Sequence, residues 1–351
     1  MQTKSIVFLV LLGFIITTLP AFAAEGDIPR TASGRPDLTG NYDIASLTPL
    51  QRDPKHGDKL YMTPEEAQEI AKAAAAVRAL TSADSDPDRE APPVGGDGSS
   101  GPSGAVGGYN FFWLDLGTDT YTIDGKYQTS ILFDPPNGRF PALTDAGEER
   151  RGAINPYAYK NTGDAWWLDT GDDPYDGPET LSLLDRCLYV GVASVPAQPV
   201  PYNNLKTIVQ TDTHVMIMIE WMHEARIIRL NSEHLPSHIR SLSGDSIGWW
   251  EGDTLVVDTT NFLAVPHVPR DGLHIVERFT RTDEATVLYE FTVNDPDYAA
   301  PYSGKFPWPQ TDAKNYEYAC HEGNYALGNI LRGARLLERE AIAKRESSGG
   351  E

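Results

Sequence analysis

The sequence predicts a mainly β protein. An antiparallel meander is expected to close into a lipocalin-like barrel or to pack as a sandwich, with one helix before it and one after. Three observations predict this. β-Branched and aromatic runs fill residues 205–295, the breaks between most of them are short and polar, and helical signals are confined to 63–80 and about 324–345. Short connections make antiparallel neighbours, because a parallel pair needs a crossover of a dozen or more residues. A meander then manages its edges by closing or by packing on a second sheet.

Residues 1–23 read as a secretory signal peptide, with Lys4 before an apolar run from Ser5 to Leu19 and small residues at Ala21 and Ala23. The run is about 15 residues, short of the roughly 20 that span a bilayer. A periplasmic or secreted protein without a membrane span is therefore expected. Residues 24–104 read as an N-terminal extension. Within it Thr63-Pro64-Glu65-Glu66 has the form of a helix start, with Thr63 as cap, Pro64 in the first turn and Glu66 closing a capping box. The Ala-rich stretch to Leu80 continues that helix. From Thr81 to Gly108 the composition turns to Ser, Asp, Pro and Gly, which cannot form a core and reads as a flexible loop.

A β-rich domain is expected over 105–345. Tyr127 to Phe133 reads as a strand stopped by Pro135-Pro136-Asn137-Gly138. Thr207–Gln210, His214–Trp221 and Arg226–Leu230 follow, then Ile247–Trp250 and Thr254–Thr259 around a Gly252 turn, then Leu273–Thr280 and Thr286–Val293. The chain closes with a helix from about Asn324 to Arg345, where Leu327, Ile330, Leu331 and Leu336 share a face.

The 351 residues carry 29 Lys+Arg against 50 Asp+Glu, a formal net charge of −21. That balance excludes a nucleic-acid partner, which requires a basic face to displace condensed counterions. Cys187 and Cys320 are the two cysteines, and in an oxidising compartment they are expected to form a disulfide, two free buried thiols being the alternative. No cofactor or metal is called for. His234 and His238 have the spacing of ligands on a helix, but Pro236 stands between them. Asp169, Asp172, Asp173 and Asp176 lack the pattern of a calcium loop. Gly244-Asp245-Ser246-Ile247-Gly248 matches a hydrolase nucleophile pattern in letters alone, since no buried strand precedes it and no helix follows.

Two polar constellations carry candidate chemistry. His223-Glu224-Ala225-Arg226 follows an apolar strand. There His223 can act as acid or base, and Arg226 can meet a developing oxyanion; the competing reading is a polar turn. Tyr318-Ala319-Cys320-His321-Glu322-Gly323-Asn324-Tyr325 offers His321 as a second acid or base. Glu322 can orient it, Tyr325 can carry a proton and Asn324 can bind a substrate oxygen, with helix capping as the alternative. Asn203 and Asn204 are candidate substrate-binding amides or turn formers, and Trp113 is a candidate binding aromatic. Glu220, on the methionine face of its strand, reads as a paired structural carboxylate.

Several of these strings also resemble a widespread family of secreted bacterial proteins that has no established activity. The resemblance rests on Gly107–Trp113, Asp134–Arg139, Tyr202–Leu230 with its His-Glu-Ala-Arg element, Gly244–Phe262, Val276–Pro296 and Tyr318–Tyr325. It covers most of 105–335 and implies one folded unit. The expected function is His-based acid–base chemistry, of lyase or hydrolase type, on a small hydroxylated or glycosidic substrate. The alternative is a lipocalin-like carrier of a small apolar ligand. Both require the two histidine clusters to reach one hollow.

Overall fold

The computed structural model describes residues 28–81, 88, 114–154, 163–171, 174–264 and 271–348. The expected signal peptide, nearly all of the 81–108 loop and Trp113 lie outside these residues.

In chain order the elements are β1 (Gly40–Asp43), β2 (Tyr61–Met62), α1 (Pro64–Thr81), β3 (Thr122–Ile123), β4 (Lys126–Gln128), β5 (Leu132–Asp134), α2 (Asp145–Ile154), α3 (Trp167–Thr170) and α4 (Gly191–Ser194). There follow β6 (Leu205–Gln210), β7 (His214–Ile219), β8 (Glu224–Leu230), β9 (Asp245–Glu251), β10 (Thr254–Thr260), β11 (His274–Arg281), β12 (Thr286–Asn294), β13 (Tyr302–Pro309), α5 (Cys320–Gly323) and α6 (Tyr325–Ser348). At the start of α1, Glu66 N–H donates to Thr63 Oγ1 at 3.2 Å and Thr63 N–H donates to Glu66 Oε2 at 2.7 Å. This reciprocal pair satisfies two orphan donors of the first turn. Among the described residues no helix is long and apolar enough to cross a membrane.

Ten strands make one curled sheet in the order β1-β6-β7-β8-β9-β10-β11-β12-β13-β5, and β2-β4-β3 form a small second sheet. The segment read as an N-terminal extension thus supplies β1, whose Tyr42 is fully buried in the main core.

The structure corrects three expectations. The meander is interrupted, because β8 and β9 run parallel over Ile228–Leu230 and Ser246–Gly248. The connection 231–244 is long enough to carry the chain back along the sheet, which a two-residue turn is not. The sheet is also not a closed barrel: it is a half-barrel whose first strand meets the end of β13 through a bridge between Tyr42 and Gln310 and the bond from Thr311 N–H to Asn41 O at 2.8 Å, without a ladder between the two strands. The outermost strands, β1 and β5, have four and three residues, and Pro135-Pro136 denies β5 the donors for a longer ladder. Finally, the expected strand 127–133 is two strands in two sheets. Between them Thr129 Oγ1 donates to Lys59 O at 2.7 Å and Ser130 Oγ donates to Leu132 O at 2.6 Å, so local side-chain bonds replace the ladder.

Alternation along each strand sends one set of side chains into the curl. Tyr42, Phe279, Tyr289, Phe291, Phe306 and Trp308 fill it, each at most 1% exposed. Within this apolar mass sits a charged pair. Arg226 on β8 forms a two-pronged ion pair with Glu277 on β11, and donates further bonds to Ser246 Oγ and Thr259 Oγ1, both at 3.0 Å. Burial pushes the Tyr289 phenol well above its ordinary value, so it keeps its proton and donates to Glu277 Oε1 at 2.7 Å. Tyr289 in turn accepts from Ala197 N–H at 3.0 Å, tying the 194–200 segment across the interior.

Removing one partner of a buried pair leaves an uncompensated charge, whereas replacing both by apolar groups is close to neutral. Arg226→Ala is therefore expected to lower the unfolding free energy in urea by about 3–5 kcal/mol, and Arg226→Met with Glu277→Leu to recover most of that loss. An Arg226→Ala midpoint equal to that of the parent chain contradicts the assignment.

Candidate functional site

Three local features assemble a cleft beside one end of the sheet. Glu220 Oε1, at the end of β7, accepts from Tyr316 N–H at 3.0 Å, and Asn315 Nδ2 donates to Thr207 Oγ1 at 2.6 Å. These bonds lay the chain after β13 across the β6–β7 hairpin. Next, the turn 221–223 places Met222 and His223 at φ values of 56° and 54°, a left-handed backbone uncommon for side-chain-bearing residues. That turn puts the Trp221 ring beside Tyr202 (4.7 Å between centroids) and Tyr318 (5.8 Å), and Asn203 Oδ1 anchors the indole by accepting from Nε1 at 2.7 Å. The third feature is the disulfide between Cys187 and Cys320, 133 residues apart in sequence, which clamps α5 to the 182–187 turn.

The resulting cleft has a volume of about 620 Å³ and is walled by Tyr202, Tyr318, Asp185, Asn324, Leu327 and the disulfide. Tyr202 is pushed up to about 12 by burial and by its neighbour Tyr318, so at neutral pH its hydroxyl remains a donor. The cleft therefore offers the rings and hydroxyls of two tyrosines, one amide and one carboxylate among apolar side chains.

The structure brings together some of the sequence-derived candidates. Asn203 holds the aromatic cluster, and Asn324 lines the cleft, donating to Asp185 O at 2.7 Å while its Oδ1 accepts from Leu327 N–H to cap α6. His321 follows the lining Cys320 and is exposed, as is Glu322. His223 is half-exposed, 4.0 Å from Glu317, which adjoins Tyr318. Neither imidazole is among the groups that wall the cleft. The remaining candidates point elsewhere. Arg226 has all three guanidinium nitrogens engaged in the core, and Asn204 is buried, pairing with Val200 through both its amide atoms. Tyr325 is 78% exposed on α6. Ser246, of the hydrolase-like string, lies inside β9 within the Arg226 network.

Sequence reasoning did not single out Lys206, on the strand that follows the cleft-lining Tyr202. It is fully buried on the inner face of β6, opposite Tyr42 and Ile219, with Asn203 O at 3.5 Å. Burial lowers its amine to about 8, against the pull of Glu220, Glu224 and Asp43. Glu224 in turn accepts from Ser194 Oγ at 2.8 Å and from Ser243 Oγ. Period-two alternation does place Lys206 and Ile208 on one face, but a lysine in a strand ordinarily marks the solvent side.

Two outcomes follow from these contacts. Lys206 holds its proton to about pH 8 when folded and to about 10.5 when unfolded. Between those values the unfolded chain binds the extra proton, so this residue makes stability rise with pH across that window. Below it the buried ammonium opposes folding by about 3 kcal/mol. Lys206→Met is expected to raise the urea midpoint at pH 7, with the gain shrinking toward pH 10.5; parallel pH–stability curves for the two proteins contradict this. Replacing both cysteines by serine is expected to cost at most about 5 kcal/mol from loop-closure entropy. It should also speed amide hydrogen exchange over 316–330 more than over 254–294, and equal protection in both regions shows that the clamp is not needed there.

Comparison with family models, curated proteins and solved structures finds no match to this chain, so the reading of the cleft rests on its own geometry.

Proposed function

We propose that the protein is a periplasmic or secreted enzyme that binds a small hydroxylated molecule of the saccharide class in the disulfide-walled cleft. His223 and His321, at its flanks, then carry acid–base chemistry of lyase or hydrolase type. The observation that carries this reading is the meeting of Tyr202 and Tyr318 on the Trp221 ring at the wall of a 620 Å³ cleft that also holds the polar side chains of Asp185 and Asn324 among apolar groups such as Leu184, Leu327 and Ile330. A sugar ring has an apolar C–H face and a rim of hydroxyls, so it matches a wall that combines aromatic rings with an amide and a carboxylate. No lysine or arginine is among the described residues that wall the cleft, and Asp185 contributes a carboxylate. Neutral ligands are favoured over polyanionic ones, in keeping with the net charge of −21.

A carrier of lipocalin type would hold its apolar ligand inside the curl. That space is taken by Tyr42, Tyr289, Phe306 and Trp308, which favours the cleft as the binding place.

Calorimetry with neutral mono- and disaccharides is expected to show saturable binding, weakened about 3- to 10-fold in Tyr318→Ala by loss of the ring contact. Mass spectrometry of incubated glycosides should then show cleaved or unsaturated products, lost in His223→Ala or His321→Ala. Binding without turnover reduces the protein to a binding module, and binding indifferent to Tyr318→Ala moves it away from this cleft.

A further inference from the structure

The side chains that wall the disulfide cleft offer a ligand more acceptors than donors. Asn324 is fully engaged: its Nδ2 donates to Asp185 O at 2.7 Å and lies 3.4 Å from Cys187 Sγ, and its Oδ1 accepts from Leu327 N–H at 3.2 Å. The Tyr202 and Tyr318 hydroxyls hydrogen-bond each other. The pair therefore keeps a single O–H for a ligand, while both oxygens retain lone pairs. Asp185 adds a carboxylate. Its Oδ2 accepts from Ser182 Oγ at 2.7 Å, and its Oδ1 has no hydrogen-bond or ion-pair partner among the described residues.

The charge balance has the same sign. Arg186, next in the chain to Asp185, is not among the groups that wall the cleft. The first turn of α6 does reach it, through Ala326 and Leu327. A helix N-terminus carries the equivalent of about half a positive charge, and the Asn324 cap already takes up part of it. Asp185 contributes a whole negative charge, so the wall remains negative.

We propose that the ligand of this cleft is a sugar with a free, protonated amino group, the ammonium being met by Asp185 and the phenol oxygens. This rests on the saccharide reading of the cleft and narrows it to amino sugars. An ammonium presents three N–H donors and no acceptor, which complements a wall whose unengaged side-chain atoms are mostly oxygens with lone pairs. A tyrosine face attracts the same cation through its ring quadrupole. A hydroxyl in the amine's place brings one donor and no charge, and an acetylated amine loses the charge while adding a carbonyl acceptor. A uronate would set a second carboxylate beside Asp185.

The test is calorimetry of the full-length protein with glucosamine, N-acetylglucosamine and glucose, at a mildly acidic pH that keeps the amine protonated. Glucosamine is expected to bind about 3- to 30-fold more tightly than either other sugar, the yield of one exposed ion pair with an aromatic contact. Added salt should shrink that preference. Asp185→Asn should abolish it and Asp185→Glu should restore part of it, with urea midpoints close to that of the parent chain showing that each variant is folded. Equal affinities for the three sugars, all weakened by Tyr318→Ala, overturn the amino-sugar inference and leave the saccharide reading in place. Saturable binding of none of them overturns both. A preference that persists in folded Asp185→Asn overturns the assignment to this carboxylate.

Discussion

The paired charges of Arg226 and Glu277 inside the curled sheet are the constraint around which the rest is arranged. A guanidinium and a carboxylate withdrawn from water are tolerated only when every donor and acceptor is met. Here the demand is met by β8, β9, β10, β11 and β12 together, through Arg226, Ser246, Thr259, Glu277 and Tyr289. A slip of one strand by a single residue would turn one of these groups to the outer face and strand the others. The network thus ties strand register to curvature, and through Ala197 it also holds the segment crossing the interior.

A second charged group lies at one end of the same inner face. Lys206, Glu220 and Glu224 share the low-dielectric end of β6, β7 and β8, and their attraction opposes the burial that pulls the amine down. This arrangement costs stability, and Glu220 and Glu224 flank the turn 221–223, where Met222 and His223 adopt left-handed conformations. The Glu220–Tyr316 bond holds the chain that carries Tyr318, and the disulfide adds to the wall of the same cleft. Scaffold and cleft are distinct: Arg226 and Asn204 serve the first, Asn203 and Asn324 the second.

Much of the architecture was legible in local pattern. The hairpin at Gly252, with φ of 60°, needs a residue free to adopt that conformation, and the letters Glu251-Gly252-Asp253 announce it. The Thr63–Glu66 capping pair and the alternation of Val287, Tyr289, Phe291 and Val293 are likewise set by neighbours close in sequence. What misled was also local. His223-Glu224-Ala225-Arg226 reads as one polar turn, yet alternation puts Arg226 in the core and leaves His223 outside. The strand expected at 127–133 failed because the hydroxyls of Thr129 and Ser130 bond to nearby carbonyls and end the ladder.

By itself the sequence determined the β-rich class, most strand positions and the acidity that disfavours polyanions. Each of these follows from side-chain periodicity, backbone propensity or charge count, which act over a few residues or over the whole composition. Only the tertiary structure decided that the sheet stays open, that β8 and β9 run parallel, and that Tyr202, Trp221 and Tyr318 meet. The same holds for His234, which the chain after the parallel step brings back onto Asp258. These outcomes depend on contacts between distant segments, selected by satisfying buried charges and filling the curl, and no local pattern encodes which distant partner will supply them.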